Sequence, residues 1–277
     1  MKNIESIFNE IEKQVSQKYC KVDSIKFCPN KVCTCKKIAE IRSYIRALIP
    51  SEFETCSIND FKGRNLEGEK VLDNKYAIKA KKDIIKYCWN LNLDLEKDIN
   101  KFKEISNTPS ELNKYSIIDD RRKNGNNLVI FGSGDRQMGR TLLASIVLKE
   151  VIKQKVKPGK HIENYNWVQF KSLKQAIIDD DKNIMNYQTC DWLVVDNISN
   201  PQYSSVQQQT FITDKIDPFF LYRLEKDLPT IFIFRFDIFS KVNMRTLESN
   251  LGMAISDIVK NKKTTLVELK SSEKINE

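Results

Sequence analysis

The C-terminal half of the chain contains short, mostly apolar runs that do not alternate regularly with polar residues. Four of them are separated by stretches long enough to hold helices: LVIFG (128–132), NWVQF (166–170), DWLVVD (191–196) and TIFIF (230–234). Such runs are typical of strands in a parallel sheet, because helices cover both faces of that sheet. The pattern therefore predicts an α/β domain over residues 126–277, and TTLVEL (264–269) is a candidate for a last strand.

The N-terminal half has apolar residues at helical spacing instead. The spacing predicts helices over residues 3–18, from about 37 to 48, and over 76–90. The second helix stops before Ile49–Pro50, because a residue that precedes proline is disfavoured in the α region. Residues 91–127 are polar with weak helical signals, which is typical of a linker that carries a helical insertion.

These patterns divide the chain into three parts. Residues 1–60 are predicted to form a small, mainly helical, cysteine-bearing N-terminal domain. Residues 61–125 are predicted to form a helical linker or insertion, and residues 126–277 the α/β domain.

The composition indicates a folded chain rather than a disordered or membrane-spanning one. Of its 277 residues, 40% are hydrophobic and 30% are charged. No apolar run approaches the roughly 18 residues that a membrane span needs, and the N-terminal residues scatter acids among apolar side chains, unlike a signal peptide. We therefore expect a cytoplasmic protein. Its single histidine excludes most histidine-based catalysis.

A glycine-bearing loop follows the first predicted strand and precedes a predicted helix. Residues 134–141, GDRQMGRT, match the phosphate-binding pattern G-x-x-x-x-G-K-[ST] at every fixed position except the lysine. In such a loop, backbone N–H groups converge on phosphates at a helix N-terminus, where the dipole favours negative charge. The candidate nucleotide-binding residues are Gly134, Gln137, Met138, Gly139, Arg140 and Thr141.

Two positions of this loop depart from the pattern. Arg140 replaces the lysine that reaches the β and γ phosphates; it keeps the charge, but its planar guanidinium does not reproduce a point-charge contact. Gln137 stands where a third glycine is frequent, which predicts a stiffer or differently shaped loop. Thr141 retains the hydroxyl that binds Mg²⁺. Taken alone, the pattern is also compatible with a glycine turn that only joins a strand to a helix.

A strand that ends in an acid favours the nucleotide-binding interpretation. The run Trp192–Asp196 lies downstream of the loop, as the Mg²⁺-binding strand of P-loop proteins does. Asn197 follows where many ATPases carry a glutamate, and an amide cannot accept a proton from water at neutral pH. Arg235 follows TIFIF, where a polar sensor residue is usual. We therefore predict a P-loop NTPase fold with slow turnover, or with nucleotide binding as a structural switch.

Four of the seven cysteines cluster near the N-terminus. Cys20, Cys28, Cys33 and Cys35 are spaced C-x7-C-x4-C-x-C in a lysine-rich segment. Zn²⁺ prefers four thiolates in a tetrahedron, and neighbouring ammonium groups lower the pKa values of thiols. The cluster therefore predicts a zinc site. The alternative is that these are scattered cysteines that are buried without a metal.

Basic residues exceed acidic ones, with 46 Lys and Arg against 37 Asp and Glu and a formal net charge of +9. A lysine-rich segment binds nucleic-acid phosphates by releasing counterions, whereas scattered lysines more often form a solvated face. Tyr19, Phe27 and Tyr44 are candidates for stacking on bases or for filling the N-terminal core. The residues alone leave these alternatives open.

The order of these motifs resembles the DnaC/DnaI/IstB group of AAA+ ATPases, which are replicative-helicase loaders and transposition helpers. The resemblance covers about residues 18–60 and 125–260 in patches. It is carried by the cysteine cluster, IPSEF (49–53) leading to Asp60–Phe61, the glycine loop, the strand that ends at Asp196, and RLEKDLPT (223–230).

The resemblance implies an AAA+ fold that uses ATP and Mg²⁺, with single-stranded DNA and a hexameric helicase or a transposase as partners. It places phosphate contacts at Gly134, Gly139, Arg140 and Thr141, the Mg²⁺ ligand at Asp196, the catalytic-acid position at Asn197 and the sensor position at Arg235. The segment LGMAISDI (251–258) lacks the arginine that the family often sends to a neighbouring subunit. This lack argues against a homo-oligomeric ring.

We therefore expect an ATP-binding DNA-replication accessory protein with a zinc-bearing N-terminal adaptor, resembling helicase loaders, with weak or absent ATP hydrolysis. One alternative is a catalytically silent P-loop scaffold that binds protein or DNA. Another is a transposition helper of the IstB kind, which differs from a loader in its partner.

Overall fold

The computed structural model describes residues 34–64, 70–91, 127–132, 138–155, 164–199, 210–240, 247–249 and 251–271. The helix predicted over residues 3–18 lies outside these ranges, as do Tyr19 and Phe27. Within the described ranges, no helix is both long enough and apolar enough to cross a membrane.

A five-stranded parallel sheet forms the centre of the described structure. Its strands are β1 (Leu128–Phe131), β2 (Tyr165–Gln169), β3 (Trp192–Ile198), β4 (Thr230–Phe234) and β5 (Thr265–Glu268). They are ordered β2-β3-β4-β1-β5, and every neighbouring pair is parallel. Each strand coincides with a predicted run, so the predicted α/β class with a parallel sheet is confirmed.

Position in the sheet explains the composition of each strand. Every residue of β1 and β4 is buried, because both strands lie inside the sheet with layers on both faces. The edge strands β2 and β5 carry half-buried or exposed positions, and these hold polar residues such as Gln169 and Glu268.

Helices follow or precede these strands along the chain. The α-helices are α1 (Thr34–Leu48), α2 (Asn74–Asn90), α3 (Arg140–Lys155), α4 (Phe170–Ile178), α5 (Asn183–Thr189), α6 (Asp217–Glu225) and α7 (Met253–Lys260). Short 3-10 turns cover Ser51–Phe53 and Ile58–Asp60, and a π-helical segment, Ile212–Ile216, precedes α6. The predicted helices over 37–48 and 76–90 correspond to α1 and α2.

The sheet separates two hydrophobic cores. Alternate residues of β1 enter each core: Leu128 and Ile130 join α1, α2 and α3 on one face, while Val129 and Phe131 join α4, α6 and α7 on the other. Helices α1 and α2 are thus built onto the sheet through the core that they share with α3. The predicted domain boundaries at residues 60 and 125 stay a prediction.

Tyr44 belongs to the first of these cores. It is 2% exposed, and its ring packs edge-on against Tyr165 with centroids 5.6 Å apart. Burial raises the pKa of Tyr165 to about 12. Of the two alternatives for Tyr44, the structure therefore shows core packing rather than base stacking.

A buried arginine organises the segment 223–230. Arg223 on α6 is 1% exposed, and its guanidinium donates hydrogen bonds to four backbone carbonyls and one hydroxyl. The acceptors are the carbonyls of Tyr187, Gln188 and Cys190 (3.0 Å each) and Pro229 (2.8 Å), and Thr230 Oγ1 (3.0 Å). The carbonyls of Tyr187 and Gln188 lie at the end of α5, where helical partners are lacking. This network gives the arginine, proline and threonine of RLEKDLPT a structural role.

The segment 251–258 is also explained by packing. Asp217, the first residue of α6, accepts hydrogen bonds from the N–H groups of Met253 (3.1 Å) and Ala254 (3.0 Å), and so caps the N-terminus of α7. Gly252 has φ +100°, and a Cβ there would overlap the Asp217 carboxylate. The glycine is therefore needed for one helix to cap the other.

Candidate nucleotide-binding site

The described residues that flank the centre of the glycine loop, Gly132 and residues 138–141, lie at the carboxyl end of β1 and at the start of α3. Ligands of open parallel α/β sheets bind at the carboxyl edge of the sheet. Gly134 and Gln137 lie outside the described residues. Helix α3 begins at Arg140, so the N–H groups of its first turn, which have no acceptors within the helix, lie at the C-terminal end of the loop. Thr141 lies half-buried in the first turn of that helix.

Gly132 directly follows β1, and its backbone conformation and close contacts require a glycine. Its φ is +152°, and its N–H donates a hydrogen bond to the carbonyl of Phe236 (3.2 Å), just beyond β4. A Cβ at this position would overlap the carbonyl oxygen of Leu269, which follows β5. The backbone thus passes between two neighbouring chain segments, and only glycine fits there.

Gly139, at the other end of the loop, packs against Phe61. It has φ +84°, and a Cβ built on it would lie 2.8 Å from the Phe61 ring. Phe61 is 4% exposed and follows a 3-10 turn with a capping box between Ser57 and Asp60. The Ser57 N–H lowers the pKa of the Asp60 carboxyl, which strengthens this cap at neutral pH.

A buried lysine attaches the same segment to the helix after the loop. Lys149 on α3 is 3% exposed, and its Nζ donates hydrogen bonds to the carbonyls of Glu54 (3.3 Å) and Cys56. Burial lowers the pKa of this ammonium group. Residues 49–61, which carry part of the family resemblance, therefore pack against the C-terminal end of the loop and the helix that follows it. No pattern in the sequence indicates that Phe61 and Lys149 make these contacts.

Arg140 connects the two ends of the loop. It is 3% exposed, and its Nη1 donates a hydrogen bond to the carbonyl of Gly132 (2.8 Å) and one to Met138 Sδ (3.3 Å). The guanidinium thus links the residues that flank the central part of the loop, a structural role that does not depend on contact with phosphate.

Asp196 collects the other site residues around its carboxylate. It is 4% exposed; Oδ1 accepts a hydrogen bond from the N–H of Asn197 (2.6 Å) and Oδ2 from Nε2 of Gln169 (3.4 Å). Burial raises the pKa of the carboxyl, whereas the Asn197 N–H and the charges of Arg235 and Arg140 lower it.

Asn197 occupies an irregular backbone position. Its φ is +63°, and the pairing of β3 with β4 shifts register between Val195 and Ile198. Asparagine tolerates the left-handed region better than most residues do, and bulges frequently lie beside functional sites. After the bulge, the N–H of Arg235 donates a hydrogen bond to the carbonyl of Ile198 (2.8 Å). The bulge thus brings positions 197 and 235 to the same edge.

Gln169 is a site residue that the sequence analysis missed. It ends β2 and pairs in register with Asp196. Its position at the carboxyl end of a predicted strand was the available signal, since polar residues from neighbouring strands meet at that edge. The sequence does not show that β2 and β3 are neighbours, so the pairing of Gln169 with Asp196 could not be predicted.

The predicted zinc ligands fall beyond the described structure. Cys20, Cys28 and Cys33 lie outside it, and Cys35 lies in the first turn of α1, where side chains are not described. Among the side chains that are described, no group of three or more His, Cys, Asp or Glu residues is placed to hold a metal ion. The zinc site stays a prediction.

Comparison with known proteins gave similarities among solved structures only. No family model and no curated protein matches the sequence. One solved structure, of DnaI, is 18% identical with a TM-score of 0.45 and covers 80% of this chain and 94% of its own. The DnaC helicase loader is 17% identical, with a TM-score of 0.45 and coverages of 80% and 100%. A proposed primosome component from Streptococcus pyogenes serotype M3 is 13% identical, with a TM-score of 0.45 and coverages of 85% and 98%.

Proposed function

We propose that the chain is an ATP-binding DNA-replication accessory protein that resembles replicative-helicase loaders and hydrolyses ATP weakly or not at all. The observation that carries the proposal is the placement of Asp196, Arg235 and Arg140 near the carboxyl ends of the neighbouring strands β3, β4 and β1, with Arg140 opening the helix that follows β1. Two cations and a helix N-terminus favour a polyanionic ligand.

The side chains present fit a nucleotide with its metal ion. The N-terminus of α3 would hold the phosphates, and the Asp196 carboxylate and the Thr141 hydroxyl would hold Mg²⁺. Burial disfavours an ionised Asp196, and a divalent cation would offset that effect. Bound Mg²⁺ would supply charge neutralisation for the β and γ phosphates.

Weak turnover follows from the two departures at this site. Asn197 offers an amide where a carboxylate would accept the proton of the attacking water. A glutamate at this position would also have to adopt the left-handed backbone of Asn197, which is unfavourable for it. Arg140 already donates to the Gly132 carbonyl, so its guanidinium is not positioned by phosphates alone.

The partners in this proposal come from the sequence resemblance. A helicase-loader role implies a hexameric replicative helicase and single-stranded DNA, and the N-terminal segment with its cysteines would act as the zinc-bearing adaptor. Metal analysis of protein purified without chelator tests the adaptor, because a structural zinc site binds close to one ion per chain. A folded N-terminus without metal would contradict it.

A catalytically silent scaffold is the second candidate, and one observation favours it. Arg140 donates a hydrogen bond to the Gly132 carbonyl, so the fold has a structural use for this cation that requires no phosphate. A transposition helper of the IstB kind shares the same site and differs from a loader in its partner.

The experiment measures binding of ATP with Mg²⁺, and its turnover, on one preparation with and without single-stranded DNA. Thr141→Val keeps the shape of the side chain and removes the hydroxyl, so we expect weaker Mg²⁺-dependent binding with unchanged thermal stability. Arg140→Ala is expected to weaken ATP binding as well, and Arg42→Ala, at an exposed arginine on α1, is its control for the loss of one positive charge. If wild type binds no ATP, the scaffold candidate replaces the proposal.

A further inference from the structure

Four lysines form one line along α2. Lys75, Lys79, Lys82 and Lys86 follow one another at intervals of four, three and four residues, and all are exposed. This spacing places side chains on the same face of a helix. At 1.5 Å per residue the line extends about 16 Å. We name these residues the lysine stripe.

The rotation of α2 is fixed by its opposite face. Ala80, Ile84, Tyr87 and Cys88 are buried in the core that α2 shares with α1 and α3. Half a turn of the helix separates this buried face from the lysine stripe. The stripe therefore points away from the core. The apolar face of α2, which a membrane-binding helix would insert into lipid, is packed inside the protein.

The lysine–lysine pairs within the stripe do not stabilise α2. Like charges three or four residues apart destabilise a helix, and the stripe contains three such pairs in succession. Lys75 also lies in the first turn, where the dipole favours acids and this helix has none. Asp83 lies beside the stripe, and its carboxyl offsets part of the positive charge. Within the sequence of α2 itself, five lysines stand against this one acid.

We propose that the lysine stripe binds the sugar–phosphate backbone of DNA without reading its sequence. A straight row of ammonium groups is complementary to a linear polyanion, and each neutralised phosphate releases counterions. An anionic membrane is a poorer occupant, since helices that lie on a membrane insert an apolar face, and that of α2 is buried. The inference gives the DNA of the proposed function a binding surface, and in that respect rests on it.

The test compares the full chain with K79Q/K82Q/K86Q by fluorescence anisotropy, using labelled oligo-dT and a duplex of the same length. Three lost phosphate contacts reduce the slope of log K against log[salt] by about 2.1 on single strands, which corresponds to about 100-fold weaker binding near 0.1 M salt. The matched control is K171Q/K182Q/K226Q, which removes the same charge from exposed lysines on the opposite side of the sheet.

Equal losses in both triple variants would show a general charge effect and overturn the inference, as would unchanged slopes in K79Q/K82Q/K86Q. Binding of the stripe to phosphatidylserine vesicles but not to DNA would overturn it as well. ATP binding, measured on the same preparations, separates the two proposals. Stripe-dependent DNA binding without ATP binding would refute the nucleotide proposal alone, and ATP binding without stripe-dependent DNA binding would refute this inference alone.

Discussion

Replacement of Arg223 by methionine tests whether its buried hydrogen bonds hold the α5–β3 and α6–β4 connections together. Methionine keeps much of the side-chain volume and removes every donor. The acceptors at Cys190 and Thr230 are buried, whereas those at Tyr187, Gln188 and Pro229 are partly accessible and can bind water. An unsatisfied buried acceptor costs about 1–3 kcal/mol, so two of them give a loss of about 2–6 kcal/mol in the free energy of unfolding.

Urea unfolding followed by circular dichroism measures this loss by linear extrapolation. Thr230→Val removes one acceptor of the same network and is expected to destabilise by about 1 kcal/mol. The exposed Arg42→Met is the matched control, with an expected change within about 0.5 kcal/mol. If Arg223→Met lost less than about 1 kcal/mol at an unchanged m-value, the hydrogen bonds would not stabilise the fold as argued.

Three further predictions concern the residue after β1, the cap of α7 and the sheet edge. Gly132→Ala forces a Cβ onto the Leu269 carbonyl at φ +152°, so thermal scans should show a loss of at least about 3 kcal/mol; a neutral change would contradict this geometry. Asp217→Ala removes the cap of α7 and should cost about 1 kcal/mol in urea, and Gly252→Ala should cost more, since its Cβ meets that carboxylate. Burial raises the pKa of Asp196, so its contribution to stability falls as pH rises above its unfolded value toward the folded pKa. In Asp196→Asn the free energy of unfolding should therefore decrease less with rising pH over this range. If the variant showed the same decrease as wild type, the raised pKa of Asp196 would not be its cause.

The strands were predictable because each carries its own local signal. In β1 and β4 every residue is buried, so burial on both faces appears directly as an unbroken apolar run. Helix α2 was predictable for a similar reason, since its buried positions recur at helical spacing. The Asp196 position followed from an apolar run that ends in an acid, although β3 itself continues to Ile198.

Contacts between distant segments were not predictable from one sequence. Arginine side chains are usually exposed, so nothing in the sequence indicates that Arg223 is buried. Only the fold shows that four carbonyls and a hydroxyl surround it. Gln169 meets Asp196 through strand register, and Phe61 meets Gly139 through the packing of residues 49–61 on the loop. In each of these cases the partner lies too far along the chain for periodicity to indicate it.

Equilibrium binding of ATP to the full wild-type chain, with and without Mg²⁺, tests the central claim most directly. Titration calorimetry on unlabelled protein reports affinity and stoichiometry together. The account predicts saturable, Mg²⁺-dependent binding that Asp196→Asn weakens and Arg42→Ala leaves unchanged. Absence of binding in a folded wild-type preparation, or binding indifferent to Asp196, would contradict a nucleotide site at this edge of the sheet.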